Sequence, residues 1–212
     1  MNDAPETRPG LPERMTSMAT TLRELSGFDQ TPATLAEATV LLVDYQNTYT
    51  RGVMELDGWK PALEAAAVLL ARARAAGAPV IHIVHNGGAG SAYDLDAEVG
   101  RIHSAVAPAD GESVVVKTAP NAFVDTDLAA LVDATGNKQV VIAGFMTHMC
   151  VTFTTEGAFL RGNQPTVVAD ACATRALRSP AGEVSATQLH HSALATIADL
   201  YGTVALSAAD LG

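Results

Sequence analysis

Gln139–Thr155 reads QVVIAGFMTHMCVTFTT, and the rest of the chain takes its meaning from this stretch. Val140, Val141, Ile142 and Ala143 form the short apolar run of a strand buried on both faces. Gly144 ends it. Beyond a tight turn, Val151, Thr154 or Thr155, and Ala158 recur at helical spacing up to Arg161, and Gly162 suits the position just past a helix end. Cys150 therefore sits where a buried strand feeds a helix. Backbone N–H groups at such a start have no helical partner, and the helix dipole favours negative charge there. A thiol in that position has its thiolate stabilised, and the same N–H groups can hold a developing oxyanion. The stretch alone equally allows Cys150 to be a small buried apolar side chain.

Working upstream, Val40–Val43 is a strand that ends in Asp44. In an open parallel sheet, the carboxyl ends of the strands are where ligands bind, although an Asp there can also simply cap a turn. The polar loop after it carries Gln46, Asn47 and Tyr49 as pocket-wall groups. Gly58–Ala76 has helical periodicity, with Leu63, Ala66, Leu70 and Ala73 on one face, Asp57 as its cap and Gly77 as its stop. Trp59 is a packing anchor at the helix start or part of the pocket. Val80–Val84 is a second strand, with His82 inside it as a core histidine and His85 at its end, on the same edge as Asp44. The connection from Gly87 to Glu112 is long for a compact domain and reads as a lid or pocket wall, with Tyr93 and Asp94 at its tip and a short helix over Glu98–Val106. Its glycines lack the spacing of a phosphate loop, which argues against nucleotide binding. Ser113–Val116 is a third strand and ends in Lys117. Lysine is rarely buried without a partner, so its place at a strand end is informative. Pro120, Asn121 and Phe123 form a turn before a helix over Thr126–Ala134, with Leu128, Leu131 and Val132 inward and Gly136 as its stop.

Downstream, Thr166–Val168 leads into DACATR, where Cys172 reads as a core thiol. A loop from Arg175 to Glu183, a helix over Thr187–Tyr201 and a strand over Thr203–Leu206 complete the chain. Residues 1–37 form an extension, irregular around Pro5, Pro9 and Pro12, with Leu22, Leu25 and Phe28 as the apolar edge of a short helix ending at Gly27; residues 38–212 form the domain. Alternating strands and helices predict an α/β fold: a three-layer α-β-α arrangement around a six-stranded, mostly parallel sheet with right-handed crossovers. That topology brings Asp44, Lys117 and Cys150 to one edge, each past a strand.

Composition narrows the function. The 212 residues suit one domain with a single large core. The net charge of −10 argues against a nucleic-acid or anionic-membrane partner. Two cysteines are too few for a disulfide framework, and the first residues have neither the basic nor the apolar region of a secretory signal, so a cytoplasmic location is expected. An acid, a cation and a thiol at one edge make a coherent nucleophilic site. Cys150 attacks a carbonyl, and Asp44 takes its proton and passes it to the departing amine. Lys117 supplies a fixed positive charge that is expected to depress the thiol from its free value of about 8.5.

The motifs LLVDYQNTY, KTAPNAF, VIAGFMTHMCV and VVADACAT, in this order and spacing, resemble those of the isochorismatase-like cysteine hydrolases over roughly Ala38–Leu206. The resemblance implies a Rossmann-like sheet, an Asp–Lys–Cys triad carried by Asp44, Lys117 and Cys150, and a non-proline cis peptide at Phe145–Met146. It implies an oxyanion hole from the backbone N–H groups of Met146 and Cys150, no cofactor, and a homodimer or homotetramer. Nicotinamidase-like members carry a metal site with an Asp-x-His element, and no His lies between Asp44 and Pro79, so no metal is expected. Members that cleave a vinyl ether characteristically lack the Cys, so Cys150 favours hydrolysis of an amide or related acyl C–N bond. The candidate substrate-binding residues are Gln46, Tyr49, His85, Tyr93, Phe123 and His148; His148 either contacts substrate or caps the helix start. They suit small cyclic amides, lactams, ureido compounds and carbamoyl groups equally. A vinyl-ether hydrolase and a non-catalytic ligand-binding member of the fold are the alternatives. A redox module would need a phosphate cradle or a Cys-x-x-Cys pair, and neither is present.

Overall fold

A computed structural model describes residues 19–212. The prolines expected to keep the chain start irregular lie outside the described residues. The first element is a single helical turn, α1 (Leu22–Leu25), closed by a reciprocal capping pair between Thr21 and Glu24. Its expected apolar edge faces outward: Leu22, Leu25 and Phe28 are exposed, and Arg23 is the residue that is buried. The Arg23 guanidinium donates to the Asp29 carbonyl at 2.6 Å and to that of Leu200 at 3.3 Å, so polar groups rather than apolar ones dock this turn. Ala33 and Leu35 already belong to the core, and Leu35 N–H donates to the Gly212 carbonyl at 2.9 Å, tying the last residue to the segment before the first strand.

The main sheet opens with β1 (Ala38–Val43), whose six residues are all buried. α2 (Trp59–Ala75) follows and buries Leu63, Ala66, Leu70 and Ala73 as its spacing predicts. Its N-cap is Gly58 in the left-handed region (φ +73°) and not Asp57. The backbone of Asp57 is held to the Thr174 carbonyl at 3.0 Å, which leaves the helix to begin one residue later. β2 (Val80–His85) and β3 (Ser113–Lys117) come next. The segment between them contains no helix over Glu98–Val106. Two separate single turns, at Glu98–Gly100 and Ser104–Val106, replace it, because Ile102 is stretched into a bridge with Gln46. α3 (Leu128–Thr135) ends on Gly136 with φ +73°.

β4 (Gln139–Gly144) lies against β1 along its whole length. Gly144 closes the contact: a Cβ there would fall 2.1 Å from the Val43 carbonyl oxygen, so no other residue fits. The Phe145–Met146 peptide is cis. One widened (π) turn, Thr147–Val151, then precedes α4 (Thr152–Leu160). Cys150 is thus held within that turn, just before the regular helix. The remaining elements are β5 (Gln164–Val168), β6 (Leu177–Ser179), β7 (Gly182–Val184), α5 (Ala186–Thr196) and β8 (Thr203–Ala205). β6 and β7 form a small antiparallel hairpin in what reads as a plain loop; all six of its residues are exposed, so no periodicity marks it.

Sheet order is β3-β2-β1-β4-β5-β8, and every pairing is parallel rather than mostly so. The chain moves outward one way from β1, then crosses back to β4 and moves outward the other way. Right-handed crossovers put α2 on one face and α3, α4 and α5 on the other. The direction reverses between β1 and β4, the switch point where such sheets open a crevice beyond their carboxyl ends. Among the described residues, no helix is long and apolar enough to cross a membrane.

Candidate active site

Four strands deliver chemistry to this edge. Asp44 follows β1, His85 ends β2, Lys117 ends β3, and Cys150 lies in the turn after β4. Asp44 has φ +54°, outside the usual range for a residue with a Cβ, and its N–H is held by the Ile83 carbonyl at 2.9 Å. In parallel register, His85 and Lys117 are partners and so project to the same face. The lysine stem spans the end of β2 and brings its ammonium between the acid and the thiol. Lys117 Nζ lies 2.7 Å from Asp44 Oδ2, 3.3 Å from Cys150 Sγ and 3.5 Å from His85 Nδ1. Asp44 is fully buried and Lys117 is 1% exposed. The ammonium and Asp44 Oδ2 form a close ion pair, and Asp44 Oδ1 is buried with no partner, so the carboxylate keeps acceptor capacity.

Burial pushes Asp44 above the ordinary carboxyl value, and Lys117 opposes it. Burial also works against the Lys117 charge, but Asp44 and Cys150 more than restore it, leaving it above the ordinary lysine value. The Cys150 thiol is pushed up to about 12, by burial first and then by the Asp44 carboxylate, with Lys117 opposing. This corrects the expectation of a depressed thiol. One cation serves two potential anions in a water-poor site, and the carboxyl, the stronger acid by about 4–5 units, takes the charge. The resting arrangement is a carboxylate, an ammonium and a neutral thiol.

The other expected site residues divide. Tyr49 (1% exposed) donates its hydroxyl to that of Tyr93 at 3.3 Å, and the Tyr93 ring meets His85 edge-on at 4.8 Å between centroids. These three line one side of the site. Gln46 is fully buried and all its polar atoms are committed: Nε2 donates to the carbonyls of His85 (2.9 Å) and Gly100 (2.7 Å), and Oε1 accepts from His85 N–H (2.9 Å). It supports the wall and offers nothing to a substrate. Phe123 lies beneath the guanidinium of Arg161, which caps the C-terminal end of α4, with 5.3 Å to its ring centroid. His148 does not cap the helix; its Nδ1 pairs with the Thr174 hydroxyl at 2.5 Å, and burial lowers its pKa. Met146 N–H has no acceptor among the described residues. No group of three or more His, Cys, Asp or Glu is placed to hold a metal among those residues.

Sequence reasoning misses two contributors. His190, on α5, pairs through Nδ1 with the hydroxyl of Thr147 at 2.9 Å and so steadies the turn that carries Cys150. Arg175 follows Thr174, its Nε is buried without an acceptor, and it forms no ion pair among the described residues. Its charge is felt at two wall residues. Burial raises Tyr93 and Arg175 opposes that rise; burial lowers His148 and Arg175 adds to the fall. The signal available was its place one residue past the DACAT run, on the approach to the same edge.

Comparison with known proteins places the chain in a family. A family model described as the isochorismatase domain matches residues 38–209. The secreted isochorismatase effector Isc1 of Verticillium dahliae is 32% identical over 87% of this chain and 96% of its own length. A streptothricin hydrolase of Streptomyces noursei is 38% identical over 64% of this chain, although the match spans only 49% of that protein. The crystal structure of an isochorismatase from Pseudomonas putida superposes with a TM-score of 0.88 at 35% identity, covering 92% of this chain and 100% of that one. The chain belongs to the isochorismatase family of hydrolases.

Proposed function

We propose that the protein is a cysteine-dependent hydrolase that cleaves an amide or related acyl C–N bond of a small molecule through a thioester intermediate. The observation that carries this reading is the buried Lys117 ammonium, in reach of both the Asp44 carboxylate and the Cys150 thiol. Asp44 has unfilled acceptor capacity beside a thiol that begins protonated. As Sγ bonds to the substrate carbonyl carbon, the thiol proton moves to Asp44, and Lys117 keeps a full positive charge against the developing negative charge. The backbone N–H groups of Cys150 and Met146 receive the oxyanion, a contribution of about 3 kcal/mol per donor in comparable sites. Asp44 returns the proton to the departing nitrogen, the C–N bond breaks, and the thioester remains. Asp44 then takes a proton from the water that attacks this thioester, and the acid leaves as the thiol regains its hydrogen. Arg175, near Tyr93 and His148, donates through Nη1 to the Val53 carbonyl at 3.4 Å and forms no ion pair among the described residues, which suits a substrate with an anionic group away from the scissile bond. The relative named for streptothricin hydrolysis supports a C–N reading.

The relatives named as isochorismatases support a second reading, hydrolysis of a vinyl ether without a covalent intermediate. Intact-mass measurement after incubation with a panel of small amides separates the two. The first reading expects an acyl adduct on the wild type that is missing from Cys150→Ala, along with loss of turnover. Turnover that survives in Cys150→Ala rejects the thiol mechanism and leaves the water-based one.

A further inference from the structure

An ammonium has three N–H donors and accepts nothing. Lys117 is almost fully buried, so each donor needs a partner in the protein. Its surroundings provide three: the Asp44 carboxylate, the Cys150 sulfur and His85 Nδ1. The first two are consumed by the chemistry proposed above. The third is not, and it is the neighbour whose position the fold fixes most completely. His85 N–H donates to Gln46 Oε1, and the His85 carbonyl accepts from Gln46 Nε2, both at 2.9 Å. One fully buried amide thus grips the His85 backbone on both sides. The Tyr93 ring closes on the imidazole edge-on, and the register with Lys117 aims the imidazole at the ammonium.

An imidazole nitrogen can accept from an ammonium only when it carries no proton, so the geometry requires the tautomer with hydrogen on Nε2. We propose, on the basis of the cysteine-hydrolase reading, that His85 is a positioning residue whose bare Nδ1 takes the third N–H of Lys117 and holds the ammonium between Asp44 and Cys150. Protonating His85 sets a second cation against Lys117 and removes the acceptor, so the site loses its alignment as His85 titrates. The charged groups that face His85 are Lys117 from β3 and Asp44 from past β1, and the Tyr93 ring from the long connection packs against it. Burial first, and Lys117 second, hold its pKa below the ordinary histidine value, with Asp44 opposing. The imidazole is therefore neutral at pH 7.

Two measurements on the full chain test this without knowledge of the substrate. Long-range ¹H–¹⁵N NMR at pH 7 is expected to show the His85 proton on Nε2 and a bare Nδ1, with the pKa of this ring rising in Lys117→Met. A proton on Nδ1, or a ring pKa unmoved by Lys117→Met, overturns the proposal. Iodoacetamide alkylation of Cys150 at pH 8, followed by intact mass, supplies the second readout. His85→Leu is expected to slow alkylation at least fivefold, and His85→Asn, whose side-chain oxygen can accept at nearly the same place, is expected to recover at least half of the lost rate. A wild-type rate in His85→Leu, or no recovery in His85→Asn when both variants fold, also overturns it. Failure of the cysteine-hydrolase reading shows elsewhere, as turnover that survives in Cys150→Ala, and leaves the tautomer result standing.

Discussion

Two thiols lie just past neighbouring strands of this sheet, and they make an informative pair. Cys150 follows β4 and Cys172 follows β5; both are free, both are buried, and both are pushed up to about 12. Burial comes first among the causes for each. The difference is in what touches the sulfur. Cys150 Sγ meets an ammonium at 3.3 Å, and the Asp44 carboxylate lies beside both. Cys172 Sγ donates to the Val168 carbonyl at 3.3 Å, within its own turn, and no cation faces it. Resting acidity does not distinguish a nucleophile from a core thiol here. The neighbours do: of the two, Cys150 has both an ammonium and a carboxylate beside it, the setting that the proposed nucleophilic role requires.

The largest effect that can break this comparison is on turnover. Cys150→Ala is expected to lower the hydrolysis rate by about 10⁴-fold or more, as loss of a nucleophile does in other covalent hydrolases, whereas Cys172→Ala leaves it within about threefold. Steady-state rates on any amide found to react settle the matter, and equal losses in the two variants would erase the distinction. Asp44→Asn comes next and splits two readouts. Hydrolysis is expected to fall by about 10²–10⁴-fold with the base gone. Alkylation of Cys150 by iodoacetamide at pH 8 is expected to rise, since the carboxylate that pushes the thiol up has been removed and Lys117 is left to pair with the thiolate. The gain is about tenfold for each pH unit by which the thiol drops. A fall in both readouts would mean that Asp44 supports the turn and not the proton.

Lys117→Met removes the cation and leaves a buried carboxylate alone. Denaturant unfolding at pH 7 is expected to show a loss of about 3–5 kcal/mol, narrowing as the pH is lowered and Asp44 becomes protonated. That sign follows from the raised pKa of the carboxyl, whose charge is the costly form once its partner is gone. Cys172→Ala is the smallest test. It should cost about 1 kcal/mol in the same unfolding measurement, the scale of one small buried group, with no dependence on pH between 6 and 8. A pH-dependent loss would show that a cation as well as Asp170 acts on Cys172.

Much of this pair was legible in the sequence, for a physical reason. Val140–Ala143 and Val40–Val43 are apolar without alternation, which only a strand covered on both faces requires, and such strands fix their own ends. Asp44, Lys117 and Cys150 stand directly past those ends, so the edge they share follows from topology alone. What the chain order does not encode is side-chain direction across elements. Gln46 has the residue type of a pocket group, yet its amide is consumed by His85 and Gly100. Arg23 has the residue type of a surface group and is buried against two carbonyls. The β6–β7 hairpin is exposed throughout and carries no periodic signal. The thiol acidity was misjudged because it depends on how many anions share one cation, a property of the assembled cluster and not of any one motif.

The sheet order has a consequence for when the enzyme stops working. Lys117 belongs to β3, one of the two edge strands, five residues long and paired on one side only. Asp44 and Cys150 stand past the two central strands. Peripheral strands open at a smaller free-energy cost than central ones. Under mild denaturant, β3 should therefore detach while the middle of the sheet holds, and the ammonium goes with it. Under the proposed mechanism, the catalytic lifetime of the molecule is then set by the fraying of a border and not by the melting of its core.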